Sequence, residues 1–440
     1  MTPDPVVPRS GITPENSRFV LISFEGPDPY SLAGGLGTRM RELSVTLARL
    51  GYQTDLYFVG SPDLPGEEAL EDGKLTLHRW CQWISQHHPG GVYDGEDGKM
   101  DDFARSIPPH VISTIVAPAL QEDKLVIVLA EEWHTAWTTV NLSDQLYARG
   151  WRDRVLILWN GNNTMGFEHV PWSRLAYTAT LTTVSKFMKQ AMWAYGVNAL
   201  VIPNGIPSRL LVPPLGSPED VREPFGDKLL MVKVARFDPD KRWLQAVNAV
   251  AGVKRLGIPT SFIMRGGVEP HGSEVLWTAQ QLGLTVADVR VDGRPTYEQG
   301  LALIAAHADA DVLNLRFFVQ EELLRLLYRA ADAVLANSGR EPFGLVGLEV
   351  MAEGGVAVTG ATGEDYARPF ENALSIETDD PRELVSAIAF LKANPEEAER
   401  LRAAGRATAE RYTWEVVIEG LVRRLEMLAF NQGLSAWSGM

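Results

Sequence analysis

Short runs of β-branched and aliphatic residues alternate with helical patterns along the whole chain, and that alternation calls for parallel sheets whose strands are joined by crossover helices. A first series runs through residues 19–23, 55–59, 125–129, 155–159 and 181–184. A second opens at residues 229–234 and continues at 261–264, 289–291, 333–335 and 356–358. Between them, residues 207–228 are rich in Pro, Gly and charge, the composition of a linker. A chain of 440 residues is long for one core. The expectation is an α/β protein of two doubly wound, Rossmann-like domains, residues 1–210 and 211–414, with ligand crevices at the carboxyl ends of the strands.

Composition excludes several classes. The formal net charge of −15 makes a nucleic-acid partner a poor fit. The single cysteine, Cys81, cannot form an internal disulfide, which suits a reducing cytoplasm. No Cys-centred turn or helix start activates Cys81 as a nucleophile. Residues 1–17 lack the apolar core of a signal peptide and are expected to fray. No run reaches the ~18 apolar residues that would cross a bilayer; peripheral contact with a membrane surface stays open. The eight histidines show no zinc-like spacing.

Chemistry concentrates in the second series. Residues 333–337 form a short apolar strand, Ser338-Gly339 is turn chemistry, and Pro342 suits a first helical position. Glu341 then sits at the sheet's carboxyl edge, beside the free amides of Phe343, Gly344 and Leu345, which favour an anion. Glu349 follows about two turns along the helix, too far to work with Glu341 as a dyad. Such spacing suits an extended ligand with negative charge in its middle.

This Glu-x7-Glu pattern, with Phe-Gly after the first glutamate, resembles the signature of the retaining glycosyltransferases that include glycogen synthase, sucrose-phosphate synthase and trehalose synthases. The resemblance implies a GT-B fold, in which two Rossmann-like domains face across a cleft and a terminal helix, here about 415–440, packs back on the first. Further segments match. Arg236 and Lys241 occupy the positions of the two cations that hold the donor diphosphate, and a cation in a first helical turn is otherwise unfavourable. Arg265 ends a strand where relatives place a Gly-rich turn near the nucleotide. Gly34 and Gly35 resemble the Gly-Gly-Leu donor loop, although Leu32 stands where glycogen and starch synthases carry lysine. His134, in Glu132-Trp133-His134, matches a histidine that approaches the donor sugar; Asn160 and Asn162 fall on the acceptor side. Asp238-x-Asp240 formally matches a metal motif of another glycosyltransferase fold, but both aspartates suit helix capping.

The expected function is therefore retaining transfer of a hexose, glucose in the first instance, from a nucleoside diphosphate sugar to a hydroxyl acceptor such as a saccharide. Glu341, His134, Arg236 and Lys241 carry the chemistry, with no cofactor and no metal. Leu32 favours UDP-glucose as the co-substrate. Glucan elongation from ADP-glucose and a non-catalytic nucleotide-sugar-binding protein are the alternatives. Trp80, Trp83 and Tyr93, in residues 80–102, can stack on sugar rings or simply pack.

Overall fold

The computed structural model describes residues 11–434 and divides into two compact units. Unit 1 takes the described residues up to Gly205 and those from Trp414 onward; unit 2 is Ile206–Thr413. In unit 1, β1 (Ser17–Ile22), β2 (Gln53–Val59), β3 (Glu67–Leu70), β4 (Leu75–Trp80), β5 (Leu125–Glu131), β6 (Val155–Gly161), β7 (Thr180–Thr183) and β8 (Leu200–Val201) form one sheet in the order β3-β4-β2-β1-β5-β6-β7-β8. Only β3 runs antiparallel to its neighbour. In unit 2, β9 (Leu229–Val234), β10 (Thr260–Arg265), β11 (Val286–Arg290), β12 (Val312–Arg316), β13 (Ala333–Ala336), β14 (Ala357–Thr359) and β15 (Leu374–Ser375) pair in parallel, ordered β11-β12-β10-β9-β13-β14-β15.

Both orders reverse direction once, between β1 and β5 and between β9 and β13. A ligand crevice opens beyond the strand ends at such a switch point, because the connections leave in opposite directions. Helices cover both faces of each sheet, so the interior strands are buried on both sides and read as continuous apolar runs. In unit 1, Phe19, Leu21, Leu56, Leu125 and Ile127 pack under Met40, Leu43 and Leu47 of helix Gly35–Arg49. Trp414, Ile418, Leu421 and Leu425 of helix Trp414–Asn431 complete that core. The terminal helix is thus a core element of unit 1. Its expected extension to residue 440 ends outside the described residues.

The structure departs from the sequence expectations in several places. Fraying of residues 1–10 lies outside the described residues, but from Gly11 onward the chain is anchored: Ile12 is buried and its amide donates to Glu426 Oε1 at 3.1 Å. Residues 207–228 are not a free linker. Arg209 pairs with Glu321, Arg222 with Asp332, and Arg325 donates to the Val212 carbonyl, so the stretch packs on unit 2 and the passage between units falls at 205/206 instead of 210/211. Five strands escaped the periodicity argument. β4 carries His78 and Arg79, each buried against carboxylates of Asp55 and Asp28; β3 is an exposed acidic edge; β12 is interrupted by Asn314; β8 and β15 are two residues long. Among the described residues no helix is long and apolar enough to cross a membrane.

Candidate active site

In unit 2 the chain leaves β9 and enters a 3₁₀ turn, Pro239–Lys241, capped by the Asp238 carboxylate, which accepts from the Asp240 amide at 2.9 Å. Arg242 then adopts φ +51° and the α-helix begins only at Trp243. Lys241 therefore precedes the helix and does not sit in its first turn. Its ammonium lies 2.6 Å from Glu341 Oε2, so the protein itself supplies a partner for the charge that the sequence left unexplained. Both groups remain about a fifth exposed, reachable by a ligand. Arg236, on the surface just past β9, has no side-chain partner among the described residues. Arg265, at the end of β10, donates to the Gly266 carbonyl.

The loop after β13 is built differently from the expectation. Pro342 is not the first helical residue: the helix is Leu345–Ala352, entered through Gly344 at φ +74°. That left-handed conformation and the crowding of Glu364 and Glu341, 2.7 and 3.1 Å from where a Cβ would stand, both require glycine. The amides of Phe343, Gly344 and Leu345 have no acceptor among the described residues, the state of a helix N-terminus open to an anion. Glu341 is held by its backbone, its amide donating to Thr362 Oγ1 at 2.9 Å. Glu349 makes no side-chain hydrogen bond among the described residues; burial, then the nearby Glu321 carboxylate, raises its carboxyl to about 7 against the pull of Arg209. Glu364, buried behind this loop, is likewise pushed up to about 7 by burial, with Glu341 adding repulsion. Its Oε1 is unpartnered.

Unit 1 gathers a second set at the carboxyl ends of β1 and β5. The Glu25 carboxylate accepts from the amides of Gly34 and Gly37 at 2.9 and 3.0 Å. The protein's own carboxylate thus takes two amides at the start of helix Gly35–Arg49, while the Gly35 amide expected to meet a donor phosphate has no acceptor among the described residues. Gly37 is the glycine that packing demands, since a Cβ there would stand 2.9 Å from the Gly26 carbonyl; at Gly35 it would meet nothing. His134 stacks on Phe24 at 4.4 Å and pairs through Nε2 with Glu96 at 2.7 Å; burial lowers its pKa. Asn160 and Asn162 both give their side-chain amides to Glu131 Oε2, at 2.8 and 2.7 Å, while Arg39 bridges Glu131 and Asn204. These two asparagines hold Glu131 and each other, Asn160 donating also to Asn162 Oδ1 at 3.1 Å. Cys81 is buried, donates to Asp102, and has its thiol pushed far up by burial.

Residues 219–408 match the family model of Glycosyl transferases group 1. The match falls inside unit 2. A D-inositol 3-phosphate glycosyltransferase of Geodermatophilus obscurus is 35% identical over 122 residues, 27% of this chain and 26% of the relative, so the match spans about a quarter of that protein. Over the whole fold, sucrose-phosphate synthase from Thermosynechococcus elongatus superposes with a TM-score of 0.64 at 19% identity, covering 93% of this chain and 99% of that one. The catalytic domain of starch synthase IV from Arabidopsis thaliana, bound to ADP and acarbose, does so at 0.65 and 17%, covering 95% and 99%. The fold is GT-B, two Rossmann-like units.

Within the matched residues, two charged residues were not singled out from sequence. Lys233 is fully buried on β9, donating to the Leu335 carbonyl at 3.0 Å and Asn337 Oδ1 at 2.7 Å; burial lowers it to about 7. A lysine inside an apolar strand was the available signal. Glu364 follows Gly360-Ala361-Thr362-Gly363, whose last glycine lets the loop press on the Glu341 and Pro342 carbonyls, 2.1 and 2.3 Å from a would-be Cβ. A Gly-rich turn after a strand marked it.

Proposed function

We propose that the chain is a retaining hexosyltransferase that moves glucose from a nucleoside diphosphate to a hydroxyl acceptor, the group 1 domain holding the donor. The observation that carries this is the Lys241–Glu341 ion pair set beside the open amides of residues 343–345 at the β9/β13 switch point, with Arg236 unpaired nearby. A diphosphate supplies the acceptors that those amides and Arg236 lack. As the anomeric carbon–oxygen bond breaks, negative charge grows on the departing phosphate, where Lys241, Arg236 and the amides stabilise it. The bond to the acceptor oxygen forms on the same face, and the acceptor's proton passes to the leaving phosphate, so no protein base is required. Glu341 faces the positive charge on the sugar. UDP is the favoured nucleotide because Leu32, exposed, offers no charge where the ADP-glucose enzymes carry lysine. Calorimetric titration decides this: UDP binds to the full chain roughly tenfold tighter than ADP, and the reverse order overturns the choice of nucleotide. Binding of neither overturns the transferase reading.

Glu349 is proposed to receive the ribose hydroxyls, as a carboxylate does in dinucleotide sites. Removing a charged hydrogen-bond acceptor costs ~1.5–3 kcal/mol, so Glu349→Ala weakens nucleotide binding by about that much while the rate from bound donor changes little. Its raised carboxyl adds a pH signature. The charged form accepts hydroxyl protons better, so nucleotide affinity rises as pH passes upward through about 7, and Glu349→Gln flattens that rise.

Catalysis is proposed to need no divalent metal and no cofactor, since cations and amides already meet the diphosphate and Asp238 is spent on its cap. Turnover then survives EDTA. Loss on chelation, restored by Mg²⁺ or Mn²⁺, would make Asp238 and Asp240 ligands.

A further inference from the structure

Unit 2 holds a cavity of about 710 Å³, within the size range of small-molecule sites. Ala330, three residues before β13, and Gly354, three before β14, line it. It therefore lies at the amino ends of these strands, whereas Lys241 and Glu341 follow the carboxyl ends of β9 and β13. Four guanidiniums share the lining, those of Arg222, Arg329, Arg402 and Arg406. They come from helices Pro218–Arg222, Glu321–Ala330 and Pro395–Ala409, which only the fold brings together. The chain as a whole carries a formal net charge of −15, so a cavity lined by more arginines than carboxylates runs against its composition.

The lining carboxylates are already engaged. Glu353, 1% exposed, accepts from Arg325 Nε at 2.6 Å. Glu399 pairs with Arg402 at the rim, and the exposed Glu219 accepts from the Ser217 hydroxyl. Arg222 is met from outside the lining, by Asp332 at 2.8 Å. Two guanidinium charges remain with no carboxylate in contact. Arg406 donates to the Ala352 and Leu211 carbonyls, neutral acceptors that leave its charge standing. Arg329 is partly buried and has no hydrogen bond or ion pair among the described residues. A place in the last turn of its helix suits a cation but gives the guanidinium no acceptor. Both act on one point: burial raises the Glu353 carboxyl, and after Arg325 it is Arg329 and Arg406 that pull it down. The Glu353 charge is spent first on Arg325, the arginine in contact with it.

We propose that this cavity binds a small organic oxyanion, a phosphate ester or a carboxylate, on Arg329 and Arg406. A planar guanidinium meets two oxygens of either group at once, and Arg329 has all its N–H groups to give. The body that carries the anion lies against Pro213, Pro218, Ala330 and Ala403. The site is distinct from the donor loops, and the inference does not rest on the transferase reading.

Calorimetric titration of the full chain with glycerol 3-phosphate, citrate and glycerol, each with and without UDP, tests it. At least one of the two anions binds with UDP present, the tighter one naming the anionic group, and glycerol does not. Arg329→Ala weakens that binding by roughly tenfold or more, as loss of a charged hydrogen bond does, and leaves UDP affinity unchanged. Its urea midpoint stays at the wild-type value, because Arg329 has no partner in the fold to lose. An anion that UDP displaces, or one whose affinity Arg329→Ala leaves unchanged, is bound elsewhere and overturns the inference. Failure of both anions overturns it too, as does glycerol binding as tightly as its phosphate. Anion binding that Arg329→Ala removes, in a chain that binds no UDP, supports the inference and rejects the transferase reading instead.

Discussion

Replacing Lys241 with alanine should slow sugar transfer by on the order of a hundredfold, the usual cost of losing one preorganised group that stabilises a leaving oxyanion. The structure adds a condition. Lys241 is also the partner of Glu341, at 2.6 Å, so its removal leaves a half-buried carboxylate beside Glu364 where the donor must bind. Donor affinity should therefore fall along with the rate. Glu341→Gln keeps shape but loses the charge facing the oxocarbenium-like carbon, so it should lower kcat with little change in donor affinity. Because the two residues share one contact, their effects should not add in a double-mutant cycle. Single-turnover rates and donor dissociation constants for both variants and the double variant measure this. A wild-type rate in Lys241→Ala, or strict additivity, would reject the assignment of these two residues to one site.

Trp243→Ala should destabilise unit 2 by ~3–5 kcal/mol, the range for truncating a buried large aromatic residue. Trp243 is fully buried at the start of its helix, packs against Phe237 at 4.8 Å, and stands 5.2 Å from the Lys233 ammonium. Its indole N–H donates to the Arg236 carbonyl at 2.7 Å. The residue therefore ties the core to the loop that carries Arg236 and Lys241. Trp243→Phe retains most of the packing and loses that bond, so it should cost about 1 kcal/mol in the bond itself plus the volume lost. Urea unfolding followed by far-ultraviolet circular dichroism reads both. An unchanged midpoint in Trp243→Ala would contradict the core described here.

Most of the architecture was legible without coordinates. Residues 229–234 are apolar apart from Lys233 because β9 is covered on both faces, and β1, β5 and β13 are covered likewise, so an apolar run marks each. β4 was hidden because its charges are satisfied inside: Arg79 by Asp28 and Glu68, His78 by Asp55. Nothing in the local sequence announces such pairings, since the partners are distant along the chain. The same blindness made residues 207–228 read as a linker, although their charges dock on unit 2.

For the candidate site, sequence alone determined which residues stand at strand ends. Strand, turn and helix start follow from local patterns, and Arg236, Lys241, Glu341 and His134 all lie where those patterns put the carboxyl edges of the sheets. What each side chain touches was decided by tertiary structure. Gly34 belongs to Glu25, Asn160 and Asn162 to Glu131, and Lys241 to Glu341, across separations of 9, 29, 31 and 100 residues. Glu132 is raised by burial and held at positive φ, neither of which its neighbours in sequence reveal. Local pattern sets the direction of the backbone within a few residues, while charge pairing and desolvation depend on which groups crossover topology brings together.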